Sequence, residues 1–186
     1  PFFSEEFGNP SSIYQFGQEA RAAIDGARRQ CAGVLGCAPS EIVFTSGATE
    51  SDNLALRGAV DGWRRDHGTE RRPHLVISAI EHHAVLDTAM SLAAEGVDID
   101  LVPVDAAGRV DPANVAAAIR PDTCLVSVML ANNEIGTVQP VAAIAAAAEA
   151  RGVPVHTDAV QAAGLLDIGV DRLGVDMLSL SAHKFY

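Results

Sequence analysis

The sequence is almost devoid of lysine. Of its 13 basic side chains, twelve are arginine and one is lysine, Lys184. Chemistry that needs an amine side chain, such as Schiff-base formation with a carbonyl compound, therefore has one candidate residue. The count alone does not establish such chemistry, because most lysines are solvent-exposed charges.

The sequence also lacks positive net charge and long apolar runs. Its 13 basic and 24 acidic side chains give a formal net charge of -11, which argues against a nucleic-acid binder with a basic surface. No stretch approaches the ~20 apolar residues of a membrane-spanning helix. We therefore expect a cytoplasmic protein that has neither nucleic acid nor membrane as a partner.

Cysteine is scarce, and the spacing of the cysteines does not indicate disulfide pairs. The three cysteines are Cys31, Cys37 and Cys124. An odd number is typical of a reducing compartment rather than of a disulfide framework. Cys124 opens an apolar run, and we expect it to be a small buried hydrophobic residue. None of the three is predicted to be a nucleophile or a metal ligand.

The length and the ends of the chain suggest a part of a larger protein. The 186 residues have the length of one ordinary domain or one lobe. The chain begins at Pro1 without a methionine and stops shortly after Lys184, and no linker or repeat divides it. We expect residues 1–186 to be one domain of a longer polypeptide, incomplete at both ends.

Helical and strand patterns alternate along the chain. Apolar spacing predicts helices over 17–35, 49–65, 84–95 and 141–150, and one that begins at Asp111-Pro112. Short apolar runs predict strands at 42–45, 74–79, 97–104, 124–130, 153–157 and 177–180. Several of these strands are apolar on both faces, so the predicted fold class is α/β, with a mostly parallel sheet covered by helices.

Polar clusters follow five of the predicted strands. They are Ser46 to Thr49, Glu81 to His83, Asn132 to Glu134, Asp158 to Gln161, and Ser181 to Lys184. Ligands of open α/β sheets bind outside the carboxyl ends of the strands. Since parallel strands end at one edge, we expect these clusters to share a site.

The turn Ser46-Gly47-Ala48-Thr49 precedes a predicted helix. The first N–H groups of a helix carry partial positive charge, so the amides of Ala48 and Thr49 and the Thr49 hydroxyl can bind a phosphate. The turn has neither the Walker pattern nor the dinucleotide-binding pattern. Taken alone, a helix cap at Thr49 with Gly47 as a turn residue explains it better.

Two strand ends carry chemically versatile side chains. Asp158 can pair with the protonated ring nitrogen of a cofactor, and a helix cap or a loop bond is the alternative. His156 stands two residues before it, but no third ligand shares this spacing, so no metal site is predicted. His82 can stack on a flat ring or transfer protons. A capping His82 beside an exposed His83 is equally consistent.

Asparagines and the single lysine complete the candidates. Asn132 and Asn133 offer amide donors to a phenolate or carboxylate, although asparagine also favours turns. Lys184 follows an apolar strand beside Ser181 and His183, where burial would lower the pKa of its amine and make it more nucleophilic. An exposed surface charge is the ordinary alternative, which this context weakens.

Taken together, these parts resemble a known site. A phosphate turn, a stacking histidine, an acid, amides and a lysine are the components of a pyridoxal phosphate (PLP) site. Six segments resemble, in order, the motif series of the cysteine desulfurases, most closely the class associated with iron–sulfur cluster assembly. They are FGNPSS (7–12), TSGATES (45–51), EHHAVLD (81–87), NNEIG (132–136), HTDAVQ (156–161) and SAHKFY (181–186). The resemblance spans nearly the whole chain and implies an aminotransferase-like large domain of fold type I.

The resemblance implies a role for each site residue. Lys184 and His82 would be catalytic, Lys184 holding PLP as a Schiff base and serving as acid and base at the substrate α-carbon. His82 would stack on the ring and Asp158 would pair with its nitrogen. Gln161 and Asn133 would contact the ring hydroxyl and the substrate. The remaining cofactor contacts, most of them to the phosphate, would come from Ala48, Thr49, Ser181, Ala182 and His183.

The implied reaction moves sulfur from L-cysteine to an enzyme cysteine as a persulfide and releases L-alanine. In the family, that cysteine and the arginine that binds the substrate carboxylate lie beyond the lysine, so we expect little or no activity from residues 1–186 alone. The family also implies a homodimer and delivery of sulfur to an iron–sulfur scaffold or another acceptor protein. One departure is Tyr14, where many members carry histidine.

Two alternatives stay open at this point. One is another PLP enzyme of fold type I, such as a selenocysteine lyase or an aminotransferase. The other is a non-catalytic scaffold of the same fold. A loop cysteine beyond Tyr186 would favour the desulfurase over the first, and a bound, absorbing cofactor that is lost on Lys184→Ala would exclude the second.

Overall fold

The computed structural model describes residues 1–185, and Tyr186, the last residue of the SAHKFY motif, lies outside them. The chain forms two compact units, one comprising Pro1–Phe44 and one that begins at Thr45. That both units belong to one domain stays a prediction. In the described part of the chain, no helix is both long enough and apolar enough to cross a membrane.

The first unit is built around one long helix, α1 (Gln15–Leu35), which confirms the helix predicted over 17–35. It ends at Gly36, whose φ of 76° turns the chain so that the next N–H, that of Cys37, also donates to the Ala32 carbonyl, at 3.1 Å. Glycine adopts this left-handed conformation without the steric cost of a Cβ, which is why it ends helices so often. A single turn of 3₁₀-helix follows at Pro39–Glu41.

The strand predicted at residues 42–45 is wrong. Ile42 has extended backbone, but the five strands of the described sheet do not include this segment. The Ile42 carbonyl instead accepts a hydrogen bond from Arg28, and the Arg28 guanidinium lies 4.9 Å from the centre of the Phe44 ring. β-Branched and aromatic residues favour extended backbone, but a strand also needs a partner ladder that a local pattern does not supply.

The second unit contains the sheet and the remaining helices. Its described strands are β1 (His74–Ser78), β2 (Asp98–Val102), β3 (Thr123–Ser127), β4 (Val155–Asp158) and β5 (Met177–Ser179). Its described helices are α2 (Ala48–His67), α3 (His83–Ala94), α4 (Pro112–Ala118), α5 (Val141–Glu149) and α6 (Val170–Leu173). The predicted helices and five of the six predicted strands are confirmed with shifted ends, whereas α6 is not predicted.

The sheet is parallel throughout, in the order β2-β1-β3-β4-β5. Leu75 and Ile77 of β1 pack with α2 and α3 on one face, whereas Val76 and Val126 pack with α4 and α5 on the other. Both faces are therefore covered by helices, which confirms the predicted α/β class. Because all five strands run in one direction, their carboxyl ends lie along a single edge.

Candidate active site

The carboxyl edge of the sheet collects the polar loops that the sequence predicts to form a site. All five strands end there, four of them at Ser78, Ser127, Asp158 and Ser179. The chain continues from these ends into the segments that carry His82, Asn133, Gln161 and Lys184. Four of the five predicted clusters therefore lie in loops at this edge. The fifth, Ser46 to Thr49, lies at the start of α2.

The first turn of α2 lies against the end of β5. The Ser179 hydroxyl donates to the Ser51 hydroxyl across 2.9 Å. Gly47 caps the helix, and its carbonyl accepts the first helical hydrogen bond, from Ser51 N at 3.1 Å. Among residues 1–185 the amides of Ala48 and Thr49 therefore have no backbone acceptor, and they present the partial positive charge of a helix N-terminus. Thr49 lies inside the helix and is not its cap.

Asp158 ends β4 and is only 5% exposed. Its Oδ1 accepts a hydrogen bond from Val160 N at 2.9 Å, and no other described group donates to the carboxyl group. Burial raises the pKa of Asp158, while the Val160 N–H and the nearby His82 oppose that rise. The carboxyl group is thus held in a poorly hydrated position, where a cationic partner would stabilise its charged form.

His82 caps α3, as one of the two sequence interpretations allowed. Its Nδ1 accepts a hydrogen bond from Ala84 N at 3.0 Å. An accepting Nδ1 carries no proton, so the neutral ring is protonated at Nε2. The side chain is otherwise exposed, which leaves Nε2 and the ring face open. His83 is exposed too, and its Nδ1 lies 3.5 Å from the Asp87 carboxylate.

Of the two adjacent asparagines, Asn132 forms the turn. Its buried side chain accepts from Glu134 N and Ile135 N at 2.9 and 3.0 Å and donates to the Ile80 carbonyl at 2.9 Å. Asn133 is exposed, and in the described chain its side chain makes no hydrogen bond. Asn133 is therefore the member of the pair that can contact a ligand.

The segment after β5 carries the lysine. Ser181 Oγ and His183 Nδ1 lie 2.8 Å apart, and a 3₁₀-helical turn spans Ala182–Lys184. Lys184 is exposed, and among residues 1–185 its amine has no hydrogen-bond or ion-pair partner. The burial that would activate this amine is therefore not supplied by the described residues. Gln161 is half-buried and likewise makes no side-chain hydrogen bond within them.

The structure thus brings together some of the predicted residues more firmly than others. The α2 N-terminus is tied to β5, His82 lies near Asp158, and Ser181 contacts His183. For Asn133, Gln161 and Lys184 it shows a common edge of the sheet but, within the described residues, no direct side-chain contact with the other candidates.

Glu81 is a residue of this edge to which the sequence assigned no role. It is 6% exposed, and its Oε1 accepts hydrogen bonds from Met129 N at 2.7 Å and from the Ser78 hydroxyl. Burial raises the pKa of Glu81 to about 8, against the effect of both hydrogen bonds, and Asp158 and Asp52 raise it further. Its place in the polar cluster that follows the apolar run at 74–79 was the one signal in the sequence.

Asp52 is a second acid that sequence reasoning missed. It lies on α2 and is wholly buried, and neither carboxyl oxygen has a hydrogen-bond partner among the described residues. Burial and the charge of Asp158 raise the pKa of Asp52 to about 7. The signal was available, because Asp52 stands four residues before Leu56 and eight before Val60, on the apolar face of its helix.

His156 is a structural link rather than a ligand. Its Nδ1 lies 2.9 Å from Ser127 Oγ and its Nε2 lies 3.0 Å from Ser179 Oγ, and the side chain is fully buried. Burial lowers the pKa of His156 to about 4, so the ring is neutral at physiological pH. No three His, Cys, Asp or Glu side chains among residues 1–185 are arranged to hold a metal ion.

The arrangement suits an organic ligand with three chemical features. Free amides at a helix N-terminus suit an anionic group, and the buried Asp158 suits a protonated ring nitrogen. The unpaired amine of Lys184 suits a carbonyl group. The exposed imidazole of His82 offers a flat surface to a ring.

Comparison with known proteins identifies relatives along the entire chain. Residues 1–186 match the family model described as aminotransferase class-V. Cysteine desulfurase IscS of Dictyoglomus turgidum is 47% identical over 186 residues, a match that covers 100% of this chain and 46% of that protein. Cysteine desulfurase IscS of Methanosarcina thermophila is 48% identical over 185 residues, covering 100% and 45%. The chain spans about half the length of the curated relatives it matches.

Solved structures give the same result. The structure described as "SspA in complex with cysteine" superposes with a TM-score of 0.93 at 43% identity, covering 99% of this chain and 52% of that one. A NifS-like protein superposes with a TM-score of 0.92 at 40% identity, covering 99% and 50%. These matches confirm the predicted fold type and the resemblance to the cysteine desulfurases. The chain belongs to the aminotransferase class-V family.

Proposed function

We propose that this chain is the cofactor-binding part of a PLP-dependent cysteine desulfurase. The observation that carries the proposal is the gathering of an anion-binding helix terminus, an imidazole, a buried carboxyl group and the single lysine along one edge of the sheet. The match to proteins named cysteine desulfurase along the full chain, at 47% and 48% identity, supports it.

The residues at the edge fit PLP as a group. The amides of Ala48 and Thr49 would bind its phosphate together with Ser181, Ala182 and His183. Asp158 would pair with the ring nitrogen, and His82 would lie against the ring. Gln161 and Asn133, whose side chains have no competing hydrogen bond among the described residues, would contact the ring hydroxyl and the substrate. Lys184 would hold the cofactor carbonyl.

When bound, PLP supplies an electron sink for charge that develops at the substrate α-carbon. The chain contributes the groups that make this sink effective. Asp158, buried and short of hydrogen-bond donors, favours a protonated ring nitrogen opposite its charge. Lys184 would move a proton at the α-carbon, and His82, with its proton on Nε2 and its exposed position, would give protons to the substrate or take them from it.

The proposed overall reaction balances without an added oxidant. L-cysteine and one enzyme thiol give L-alanine and an enzyme persulfide. The C–S bond of the substrate breaks and an S–S bond forms between its sulfur and that of the enzyme cysteine. Cys124 is a poor acceptor because burial raises its pKa to about 12, and its Sγ contacts the His74 carbonyl at the opposite, amino edge of the sheet. We place the acceptor cysteine, like the carboxylate-binding arginine, outside this chain because the family resemblance implies that both lie beyond the lysine.

The finer context of the enzyme is part of the same proposal. The family resemblance implies a homodimer and delivery of sulfur to an iron–sulfur scaffold or another acceptor protein, and the composition of the chain is the ground for a location in the cytoplasm. One of the similar solved structures is described as a complex with cysteine, which supports L-cysteine as the substrate here.

The test is an assay of the full-length protein with PLP, L-cysteine and a reducing thiol. We expect equimolar L-alanine and sulfide, both lost in Lys184→Ala. Cys124→Ala is the matched control and should retain activity within about twofold, because a thiol that stays protonated is not a nucleophile. Turnover of selenocysteine or transamination in place of sulfide release would overturn the proposal in favour of another fold-type-I enzyme.

A further inference from the structure

Glu81 joins two segments that the proposed site requires. It lies in the loop between β1 and α3, directly before His82. Its Oε1 accepts from Met129 N, in the extended chain beyond β3, at 2.7 Å, and also from the Ser78 hydroxyl at the end of β1. A single buried oxygen therefore connects the loop that carries His82 to the segment that follows β3.

A second hydrogen bond connects the same two segments in the opposite direction. The Asn132 amide, beyond β3, donates to the Ile80 carbonyl, in the β1–α3 loop, at 2.9 Å. Two side chains thus reach across in reciprocal fashion, one from each segment. Because both are buried, water competes poorly for these bonds, and the loop has little freedom to shift relative to β3.

The surroundings of Glu81 do not favour a charge. The charged groups that act on it, Asp158 from β4 and Asp52 from α2, are both acidic. Its Oε2 is buried and receives no hydrogen bond from the described residues. A carboxylate here would face two like charges with one oxygen unsolvated, whereas a carboxylic acid keeps its proton on Oε2 and leaves Oε1 to accept both hydrogen bonds.

We propose that Glu81 is a positioning residue that, as a neutral carboxylic acid, fixes the His82 segment to the end of β3 and so sets the place of the imidazole. This proposal rests on the proposed function only in that His82 is taken to face the cofactor ring. The carboxyl group acts through geometry, and its charge has no part in the reaction.

The first arm of the test needs no cofactor. Infrared spectra of the full-length apoprotein at neutral pH should contain the C=O band of a protonated carboxyl group that disappears in Glu81→Gln. Asp52→Asn is the control, because Asp52 is the other buried acid with a pKa near neutrality, and it should leave the Glu81 band in place. A Glu81→Gln spectrum that keeps this band in full, with Asp52 already replaced, would overturn the proposal.

The second arm measures the place of the imidazole through bound PLP. Glutamine retains an oxygen acceptor of the same reach, so Glu81→Gln should keep the visible circular dichroism band of the cofactor and its affinity within about twofold. Glu81→Ala leaves Met129 N without its partner in a buried position, and it should alter that band and weaken PLP binding by about tenfold. Should Glu81→Ala not fold, Glu81→Asp, which is one methylene shorter, takes its place.

Two results in this arm contradict the proposal. One is a folded Glu81→Gln protein as impaired as the alanine variant, which would mean that the charge is required. The other is a folded alanine variant with an unchanged cofactor band. Absence of PLP binding by the unmodified protein would instead defeat the proposed function, and the infrared arm would still decide whether Glu81 is neutral.

Discussion

The acidic side chains at the two edges of the sheet have different partners. At the amino edge, Asp98 and Asp122 pair with Arg120 at 2.7 and 3.0 Å, and Arg72 lies 3.3 Å from Asp98. At the carboxyl edge, Asp52, Glu81 and Asp158 are buried without an arginine or lysine partner among the described residues, and their pKa values are raised. His156 Nε2 lies 3.6 Å from the Asp52 carboxyl group, but burial lowers the pKa of His156 to about 4, so the ring is neutral at physiological pH.

The difference separates stability from function. Partly exposed ion pairs such as those of Arg120 hold strand ends together at little electrostatic cost. Buried acids without cations cost folding free energy, and such groups collect where a ligand or a reaction uses them. The carboxyl edge is therefore electrostatically destabilised. The proposed cofactor, with a protonated ring nitrogen, would supply the positive charge that this edge lacks.

The largest expected effect comes from replacing Asp158, at the carboxyl edge. Asp158→Asn keeps an oxygen for Val160 N but removes the charge opposite the ring nitrogen, so we expect kcat with L-cysteine to fall about 100-fold or more. The same change relieves repulsion with Asp52 and Glu81, so the variant should be at least as stable as the unmodified protein. Steady-state kinetics and thermal unfolding check the two parts.

Asp98→Asn at the amino edge is the matched control for that experiment. It removes a charge of the same kind from an ion pair, so it should leave kcat within about twofold and lower stability by roughly 1 kcal/mol or less. Equal kinetic losses in the two variants would erase the distinction between the edges.

A second, intermediate effect is a pH dependence of stability. Glu81 and Asp52 have pKa values of about 8 and about 7, raised from 4.5 and 3.8. Each contributes stability that is fully present below its ordinary pKa and is lost as the pH rises through the raised value. The free energy of unfolding of the apoprotein should therefore decrease by on the order of a few kcal/mol between about pH 6.5 and about pH 9. Below this range the buried His156, whose pKa is lowered from 6.5 to about 4, acts in the opposite direction.

The double variant Glu81→Gln/Asp52→Asn sharpens that measurement. It should flatten most of the slope, as followed by urea unfolding at a series of pH values. An unchanged dependence of the free energy of unfolding on pH would show that these two acids are not the groups that titrate. It would also show that repulsion between the acids at the carboxyl edge does not lower stability.

The smallest expected effect is at the amino edge. Arg120→Ala removes the pairs with Asp98 and Asp122, but the Arg120 side chain is 39% exposed, so screening by water limits the loss of stability to about 1 kcal/mol. The loss should shrink further at high salt, and desulfurase kinetics should not change. A loss of activity in a well-folded Arg120→Ala protein would mean that the two edges are not independent.

The sequence predicted the parallel sheet with few errors, because the alternation of helix and strand is a local pattern. That the loops at its carboxyl edge form the site stays a prediction. Alternating helix and strand patterns imply a parallel sheet, and a parallel sheet brings His82, Asp158 and Lys184 to one edge. The strand at 42–45 was wrong because pairing is non-local. His82 remained ambiguous, since a helix cap and a ring-stacking role use the same side chain at the same place.

The roles of Glu81 and Asp52 could not be read from their neighbours in the chain. Their raised pKa values come from burial and from acids that lie far apart in the sequence, since Asp158 acts on both residues and Asp52 acts on Glu81. Asp52 stands on the apolar face of α2, a pattern that flags a buried polar group but not its partners. Only the three-dimensional arrangement shows that the three acids lack an arginine or lysine partner among the described residues.

The most direct test of the carboxyl edge as a PLP site uses the chain's single lysine. The full-length protein is incubated with PLP, reduced with borohydride and mapped by mass spectrometry, with Lys184→Ala as the control. We predict a stable pyridoxyl-phosphate adduct on the peptide that contains Lys184 and a loss of the visible cofactor absorption in the variant. An unmodified Lys184 peptide, or an adduct on another lysine of the full-length protein that persists in Lys184→Ala, would contradict this prediction.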